Sequence, residues 1–178
     1  PIRDIQVLCP MNRGGVGARS LNIELQAALN PAGDQKIERF GWTFAPGDKV
    51  MQIENDYEKD VYNGDIGYID SVDIDRGELT ATFDGHCVTY GFGELDALVA
   101  AYAASIHKSQ GSEFDRVLLL LPDRDSPVLT RELIYTAVPR ARESVEIWGV
   151  EEVFRDALER RIQRRSGLRD ALWGSSVP

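Results

Sequence analysis

Three features are scarce or missing in this sequence, and each excludes a class of protein. Only two cysteines and two histidines occur among 178 residues, without metal-ligand spacing, so we expect no structural metal site. No apolar run is long enough to span a bilayer and no secretory signal is present, so we expect a cytoplasmic protein with no membrane partner. Cys9 and Cys87 are then interpreted as reduced core residues within strands.

Basic residues are also in a minority. The chain has 20 lysines and arginines against 29 acidic residues, which gives a net charge of -9 at pH 7. An autonomous nucleic-acid-binding protein is usually basic, so the balance argues against strong DNA binding by the isolated chain. It leaves room for a few local phosphate contacts within a larger protein.

The phosphate-binding pattern G-x-x-x-x-G-K-[ST] is absent as well. Gly14, Gly15 and Gly17 form a glycine-rich stretch, but no phosphate-binding lysine follows them. If the protein handles a nucleoside triphosphate, half of the site must come from elsewhere. The proline at position 1 fits a fragment of a longer protein.

The most informative stretch present is 104–121, which reads A-S-I-H-K-S-Q-G-S-E-F-D-R-V-L-L-L-L. Its apolar ends predict two buried strands of a parallel sheet, joined by a polar loop. His107, Lys108, Ser109 and Gln110 supply donors for a phosphate backbone, and Gly111 lets the main chain approach a ligand. An ordinary solvated turn is the other interpretation that these residues leave open.

The remaining pattern predicts an α/β layer with a small insertion. A strand over 5–9 and an amphipathic helix over 18–29, with Leu21, Leu25 and Leu29 on its apolar face, begin the layer. Short strands separated by tight turns from about Val61 to Phe92 predict an antiparallel, SH3-like barrel. A short helix over 93–99 returns the chain to the main sheet, where Thr130 caps a later helix.

Two further sets of side chains are candidates for binding. Asn55, Tyr57 and Tyr62 are able to stack on or bond to a single strand of nucleic acid, and burial in the barrel is the alternative. Arg13, between the first strand and the first helix, is placed to reach a phosphate, and a solvated loop arginine is the alternative.

Five blocks in order resemble the second motor domain of RecD-type DNA helicases of superfamily 1B. They read L-C-P-M-N-R-G-G-V-G, G-D-K-V-M-Q-I-E-N-D-Y, V-Y-N-G-D-I-G, S-I-H-K-S-Q-G-S-E-F and L-I-Y-T-A-V-P-R-A-R. The resemblance implies a RecA-like parallel-sheet domain, 2A, over 1–60 and 93–165. It also implies an inserted SH3-like barrel, domain 2B, over 61–92, followed by a C-terminal tail over 166–178.

The resemblance implies roles at a nucleotide. Arg140 corresponds to the arginine finger of these ATP-dependent helicases, with Arg142 as the reserve candidate. Arg13, Gly111 and Glu113 would lie near the bound nucleotide, with Glu113 near the ribose. ATP and Mg²⁺ would be bound mainly by the N-terminal RecA-like domain of the same protein.

The resemblance also implies contacts with DNA. Ser105, His107 and Lys108 would face the backbone of single-stranded DNA, and Asn55 and Tyr57 would contact the strand from the barrel. Nuclease and helicase subunits of a RecBCD-like complex are further partners that the family suggests.

One residue departs from the family pattern. Pro139 stands where threonine is usual before the finger arginine. A proline inside a helix costs roughly 3 kcal/mol, so Pro139 either ends the helix or displaces Arg140.

Two alternative functions stay open on the sequence. The first is the helicase portion of a conjugative relaxase, which shares these motifs. The second is a non-catalytic adaptor whose motor domain is vestigial.

Overall fold

The computed structural model describes residues 3–12, 14–124 and 126–161, which form two sheets and a small hairpin. The strands are β1 (Ile5–Cys9), β2 (Ile37–Arg39), β3 (Trp42–Phe44), β4 (Lys49–Gln52), β5 (Ile66–Asp73), β6 (Glu78–Phe83), β7 (His86–Gly91), β8 (Leu98–Ala100), β9 (Ala103–Ser105), β10 (Phe114–Leu120) and β11 (Ala141–Trp148). The helices are α1 (Ala18–Leu29), α2 (Arg131–Ala137) and α3 (Glu151–Glu159).

The parallel sheet has the order β11, β10, β1, β9. Val7 on β1 pairs with Leu118 on one side and Ala103 on the other, so β1 is an inner strand. Strand β1 runs parallel to both of its neighbours, β10 and β9, as expected for apolar strands joined by long crossovers. The carboxyl ends of β1 and β9 therefore lie side by side, and each is followed by a polar loop.

The antiparallel sheet has the order β7, β6, β5, β4, β8. Asp84 and Gly85 close the predicted two-residue hairpin with φ angles of 44° and 82°, the left-handed geometry that such a turn requires. The predicted insertion, 61–92, contains β5, β6 and β7. Because β4 and β8 pair with each other and β4 with β5, the sheet continues on both sides of those bounds.

Each sheet has its own hydrophobic core. Leu8, Leu119 and Ile134 belong to the core of the parallel sheet, where α2 and α3 pack. Leu79 and Val88 belong to the core of the antiparallel sheet. Burial of one such side chain contributes about 1.5 to 3 kcal/mol to the free energy of unfolding, so both cores stabilise their units substantially.

Helix α1 begins and ends where its sequence predicts, but one residue of its predicted apolar face is exposed. Asn30 follows its last turn and Pro31 prevents its continuation. Ala18 and Asn22 are the buried positions, whereas Leu29 is exposed. Leu21 and Leu25 are half-buried on the same side of the helix as Asn22, so the prediction was wrong for Leu29 alone, at the end of the helix. The first half of the helix packs on β9, where the Asn22 amide pairs with the backbone of Ala103 at 2.8 Å in both directions.

Two other predictions need correction. The predicted helix over 93–99 is a single 3-10 turn, Leu95–Ala97, followed directly by β8. Cys9 is buried as predicted, but Cys87 is exposed. Alternation along β7 places Cys87 on the outer face while Val88 and Tyr90 point into the core.

Buried polar side chains join the two sheets. The Lys49 ammonium, at the start of β4, donates to the Ile5 carbonyl oxygen of β1 at 3.3 Å. Next to it, the buried carboxylate of Asp48 accepts hydrogen bonds from α1 and from Tyr102, which leads into β9. The G-D-K block therefore fastens the antiparallel unit to the parallel one.

Side-chain hydrogen bonds hold the C-terminal part of the described chain at a helix cap and at an arginine. The Thr130 hydroxyl accepts from the Leu133 amide at 3.3 Å, which confirms the predicted cap of α2. Arg160 donates to the carbonyls of Ser126 and Leu129, so this arginine serves the packing of α3. The predicted tail, 166–178, lies outside the described residues, and none of the described helices is long and apolar enough to cross a membrane.

Candidate nucleic-acid and nucleotide interface

The polar loop over 106–113 follows the carboxyl end of β9 and is held mainly by its own backbone. Ser105 accepts amide hydrogen bonds from Lys108 at 2.9 Å and Ser109 at 3.2 Å. The Ser109 hydroxyl, fully buried, donates to the Ile106 carbonyl at 2.8 Å. Ser112 then donates its amide to the Ser109 carbonyl at 3.1 Å. The loop is a compact series of turns with a buried anchor at its centre.

The first half of the loop presents two exposed side chains. His107 and Lys108 both point to solvent, and the ammonium of Lys108 has no partner within the described part of the chain. Ser105 is only 8% exposed, so its hydroxyl does not share that surface. A free cation beside an imidazole can contact a phosphate backbone.

The second half of the loop holds Arg140. Gly111 has a φ of 92°, which turns the chain so that the carbonyl of Ser112 faces the end of α2. The Arg140 guanidinium donates to the Ser112 carbonyl at 3.3 Å and to the Thr136 carbonyl at 3.2 Å. Arginine carries five donors, so these two bonds orient the side chain and leave donors for a ligand.

Pro139 ends the helix that precedes Arg140. Helix α2 stops at Ala137, and Pro139 lies in the single 3-10 turn Val138–Arg140, near its amino-terminal end. At that position the missing amide hydrogen breaks no helical hydrogen bond. The proline therefore sets the boundary after which Arg140 folds back on the loop.

Arg142 has a different environment from Arg140. Its guanidinium pairs with the Glu113 carboxylate at 3.2 Å and lies 3.8 Å from the Asp115 carboxylate. These carboxylates offset the charge of Arg142, whereas the hydrogen bonds of Arg140 to the described residues go to neutral carbonyl oxygens. Both guanidinium groups stay ionised, but within the described residues no carboxylate competes with a phosphoryl group for Arg140.

Asn55, Tyr57 and Tyr62 form a second exposed group close to the loop. The rings of Tyr57 and Tyr62 meet edge to face with centroids 6.0 Å apart, and Tyr57 is 77% exposed. Asn55 accepts from the amide of Asn63 at 2.9 Å, which ties the group to the turn 62–65. A Cβ atom placed on Gly64 in that turn would lie 3.9 Å from the Lys108 carbonyl oxygen, so this turn lies against the loop.

This tyrosine surface is acidic. Glu54, Asp56, Glu58 and Asp60 surround it in sequence. The Tyr62 hydroxyl donates to Asp60 at 2.7 Å, and this hydrogen bond raises the pKa of Tyr62 above its ordinary value. Such a surface suits stacking on bases better than contact with phosphates.

The remaining predicted site residue is Arg13, which lies outside the described residues. Within 3–12, 14–124 and 126–161, no three metal-ligating side chains come together. The residues that sequence reasoning missed are Ser112 and Thr136, which act through backbone carbonyls. No side-chain pattern signals a carbonyl contact, so only the structure reveals them.

Comparison with known proteins identifies the family. Residues 21–83 match the SH3 domain of ATP-dependent RecD-like DNA helicases, and residues 100–147 match the UvrD-like helicase C-terminal domain. The chain is 40% identical over 139 residues to the ATP-dependent RecD2 DNA helicase of Deinococcus radiodurans. It belongs to the RecD-type helicases. The matched part is 78% of this chain and 19% of that protein.

Other RecD-type sequences and a structural neighbour agree. The chain is 36% identical over 172 residues to the RecD subunit of the RecBCD enzyme of Mycolicibacterium smegmatis, covering 97% of this chain and 30% of that subunit. The Pif1 helicase of Candida albicans superposes with a TM-score of 0.59 at 16% identity, covering 89% of this chain and 49% of that one. These findings confirm the predicted fold class, a RecA-like parallel sheet with an SH3-like antiparallel unit. The chain spans less than a third of the length of these curated RecD-type relatives. Neither of the two alternative functions, a conjugative relaxase or a non-catalytic adaptor, is favoured by these matches.

Proposed function

We propose that this chain is the C-terminal motor segment of an ATP-dependent DNA helicase that moves 5′ to 3′ along single-stranded DNA in recombination or repair. The observation that carries the proposal is the loop over 106–113. Its first half exposes His107 and Lys108, and its second half bonds to Arg140 through the Ser112 carbonyl. One rigid loop thereby connects a surface suited to DNA with an arginine suited to a phosphoryl group.

The nucleotide role in this proposal falls to Arg140. ATP and Mg²⁺ would be bound mainly by a separate RecA-like domain. The ATP would supply the phosphoryl group that is transferred to water. Arg140 would donate to oxygens of that group and stabilise the charge that develops on them. The pairing of Arg142 with Glu113 would fix the end of the loop, leaving the second oxygen of Glu113 for a ribose hydroxyl.

The DNA role falls to the exposed half of the loop and the tyrosine surface. Lys108 and His107 would contact phosphates, while Tyr57, with Asn55 beside it, would contact bases. Because the chain as a whole is acidic, we expect these contacts to add to those of the other motor domain rather than to give tight binding alone.

The division of the chain and its partners belong to the same proposal. The inserted SH3-like unit is proposed around the antiparallel strands, with RecA-like segments before and after it. The N-terminal RecA-like domain of the same protein and subunits of a RecBCD-like complex are the proposed partners, in the cytoplasm. The name of one relative, RecBCD enzyme subunit RecD, supports the proposed complex.

The experiment uses the longer protein that joins this chain to a phosphate-loop motor domain. Arg140→Ala is expected to lower kcat for DNA-stimulated ATP hydrolysis by about 10³- to 10⁵-fold, with affinity for single-stranded DNA unchanged. Arg142→Ala removes an arginine two residues away and serves as the control, with a loss of less than about tenfold in kcat, since its charge is offset by carboxylates. An unchanged kcat in Arg140→Ala would refute the finger role.

A second measurement tests the division of labour between the two motor domains. The isolated 178-residue chain is expected to hydrolyse no ATP, because it contains no phosphate-binding loop. Robust turnover by the purified chain would contradict the proposal.

A further inference from the structure

A cleft lies next to Lys108, between the start of α1, the β2–β3 hairpin and the chain entering β9. Asn12, Arg19, Trp42 and Lys108 line its polar and aromatic sides, and small residues such as Ala101 and Ala104 form its floor. We call it the Trp42 cleft. No sequence motif pointed to it, because its walls come from several stretches that are far apart in the sequence.

The charge of the Trp42 cleft is opposite to that of the protein. Among the described residues that line it are two cations, Arg19 and Lys108, and no carboxylate, although the whole chain carries a net charge of -9. A second depression, beside Tyr62, has the opposite character, since Asp60, Asp65 and Asp84 line it. An anionic ligand near this surface is therefore drawn to the Trp42 cleft.

The aromatic side of the cleft is held in place before any ligand arrives. The Arg19 guanidinium lies 5.1 Å from the centroid of the Trp42 ring and donates to the Gly41 carbonyl at 3.3 Å. Phe40 and Gly41 form the hairpin turn with φ angles of 51° and 77°. A Cβ atom on Gly41 would come within 2.9 Å of the Arg19 guanidinium, so glycine permits this close approach.

The size of the cleft limits what can enter it. Its volume is about 130 Å³, whereas pockets that enclose a whole drug-sized ligand typically measure about 300 to 1,000 Å³. A single flat ring system fits this space better than a complete nucleoside triphosphate. Aromatic and guanidinium planes are the usual stacking partners of an unpaired base.

We propose that the Trp42 cleft receives one base of single-stranded DNA, from the strand whose phosphates Lys108 contacts. The proposal rests on the DNA-binding role proposed above and adds a base subsite to it. Lys108 borders both the exposed loop surface and the cleft, so a nucleotide whose phosphate meets Lys108 is within reach of Trp42. The cleft would recognise the stacked face of a base and would be tolerant of sequence.

Tryptophan fluorescence gives a direct test in the full 178-residue chain. The sequence has three tryptophans, Trp42, Trp148 and Trp173, so the double variant Trp148→Phe/Trp173→Phe leaves Trp42 as the only reporter. Oligothymidylate is expected to quench its emission, and an abasic oligonucleotide of equal length and charge is expected to bind without quenching. Binding of both strands with no quenching by either would overturn the base subsite and leave the DNA-binding role standing. Because only weak binding is expected of this chain alone, the titration extends to millimolar oligonucleotide, and failure of both strands to bind even there would overturn the two proposals together.

Affinity measurements on variants give an independent test. Trp42→Ala is expected to weaken binding of oligothymidylate by about tenfold and to leave binding of the abasic strand unchanged, because one base loses its stacking partner. Trp42→Phe should restore most of the affinity, and Trp148→Ala, at an exposed tryptophan of β11, is the control. Equal losses for both strands in a folded Trp42→Ala chain would overturn the proposal. The quenching measurement stands by itself if Trp42→Ala does not fold.

Discussion

The Tyr102 hydroxyl donates to the Asp48 carboxylate at 2.6 Å, across the junction of the two sheets. The same carboxylate accepts from Gln26 at 2.5 Å, from Asn30 at 2.7 Å and from the Ala45 amide at 2.7 Å. Asp48 is 1% exposed, so these neutral donors replace its hydration. This one side chain joins α1, the start of β4 and the chain that leads into β9.

Asp48→Asn is therefore expected to lower the free energy of unfolding by about 2 to 4 kcal/mol, since an amide NH₂ group would face donors that need an acceptor. Urea unfolding measures the loss. Asp70→Asn is the control, because Asp70 is an exposed carboxylate that accepts one hydrogen bond, from Thr82. Equal losses in the two variants would contradict the role of Asp48 as a structural junction.

Because Lys49 is buried, we expect the free energy of unfolding to depend on pH. Burial lowers the pKa of Lys49 from 10.5 to about 8, partly opposed by the charge of Asp4. Above pH 8 the native state releases this proton while the unfolded state retains it up to about 10.5, so the unfolded state binds more protons. The contribution of Lys49 to stability therefore rises between pH 8 and 10.5.

The test for Lys49 compares the protein with the Lys49→Met variant across that range. The free energy of unfolding of the unchanged chain is expected to rise relative to that of the variant by about 3 kcal/mol in total. Below pH 8 the difference should be constant, because both states are protonated there. A difference that stays constant up to pH 10.5 would show that the Lys49 pKa is not lowered.

Lys108 predicts a change in the salt dependence of DNA binding. Each lost phosphate contact on a single strand reduces the slope of log K against log salt by about 0.7. Lys108→Ala is expected to reduce the slope by about this amount, and the double variant with His107→Ala should bind more weakly still. Arg76→Ala, which removes an exposed cation paired with Asp73 on the turn between β5 and β6, should leave the slope unchanged. Identical slopes for Lys108→Ala and the unchanged chain would exclude a phosphate contact.

We expect the two cysteines to react with thiol reagents at different rates. Cys9 is fully buried, and burial raises its pKa to about 11, whereas Cys87 is exposed. A thiol reagent at pH 8 is expected to modify Cys87 quickly and Cys9 only after unfolding, because the thiolate is the reacting form. The Cys87→Ser variant is the control and should give no fast reaction. Two fast thiols in the native chain would contradict the buried position of Cys9.

Local patterns predicted most of the secondary structure. The apolar run of β1, the helical spacing of α1 and the Asp84-Gly85 turn are decided within a few residues, and each appears at its predicted position. The antiparallel sheet extends beyond the predicted range 61–92, because β4 and β8 are short strands whose pairing depends on residues far apart in sequence. Helix α1 buries Asn22 rather than Leu29 for a similar reason, since the partner strand β9 lies 81 residues away from Asn22 at Ala103.

The candidate site was predictable as a set of side chains but not as an arrangement. The motif residues His107, Lys108 and Arg140 were found from the sequence, and their roles stay predictions. Sequence left Arg140 and Arg142 as alternatives, and the difference between them is their partners: carbonyl oxygens for Arg140 and carboxylates for Arg142. The Trp42 cleft had no sequence signal, because Arg19 and Trp42 meet only after a hairpin brings them together.

The buried hydroxyl of Ser109 has a mechanical consequence for the loop over 106–113. Its hydrogen bond to Ile106 and the amide bond from Ser112 close the turns of the loop around a side chain that is fully buried. Because the Ser109 side chain is enclosed, the turns on either side of it hold Lys108 and the Ser112 carbonyl at a set spacing. The Ser112 carbonyl in turn accepts from Arg140. Ser109 therefore fixes the separation between the exposed cation at one end of the loop and the arginine bonded to its other end.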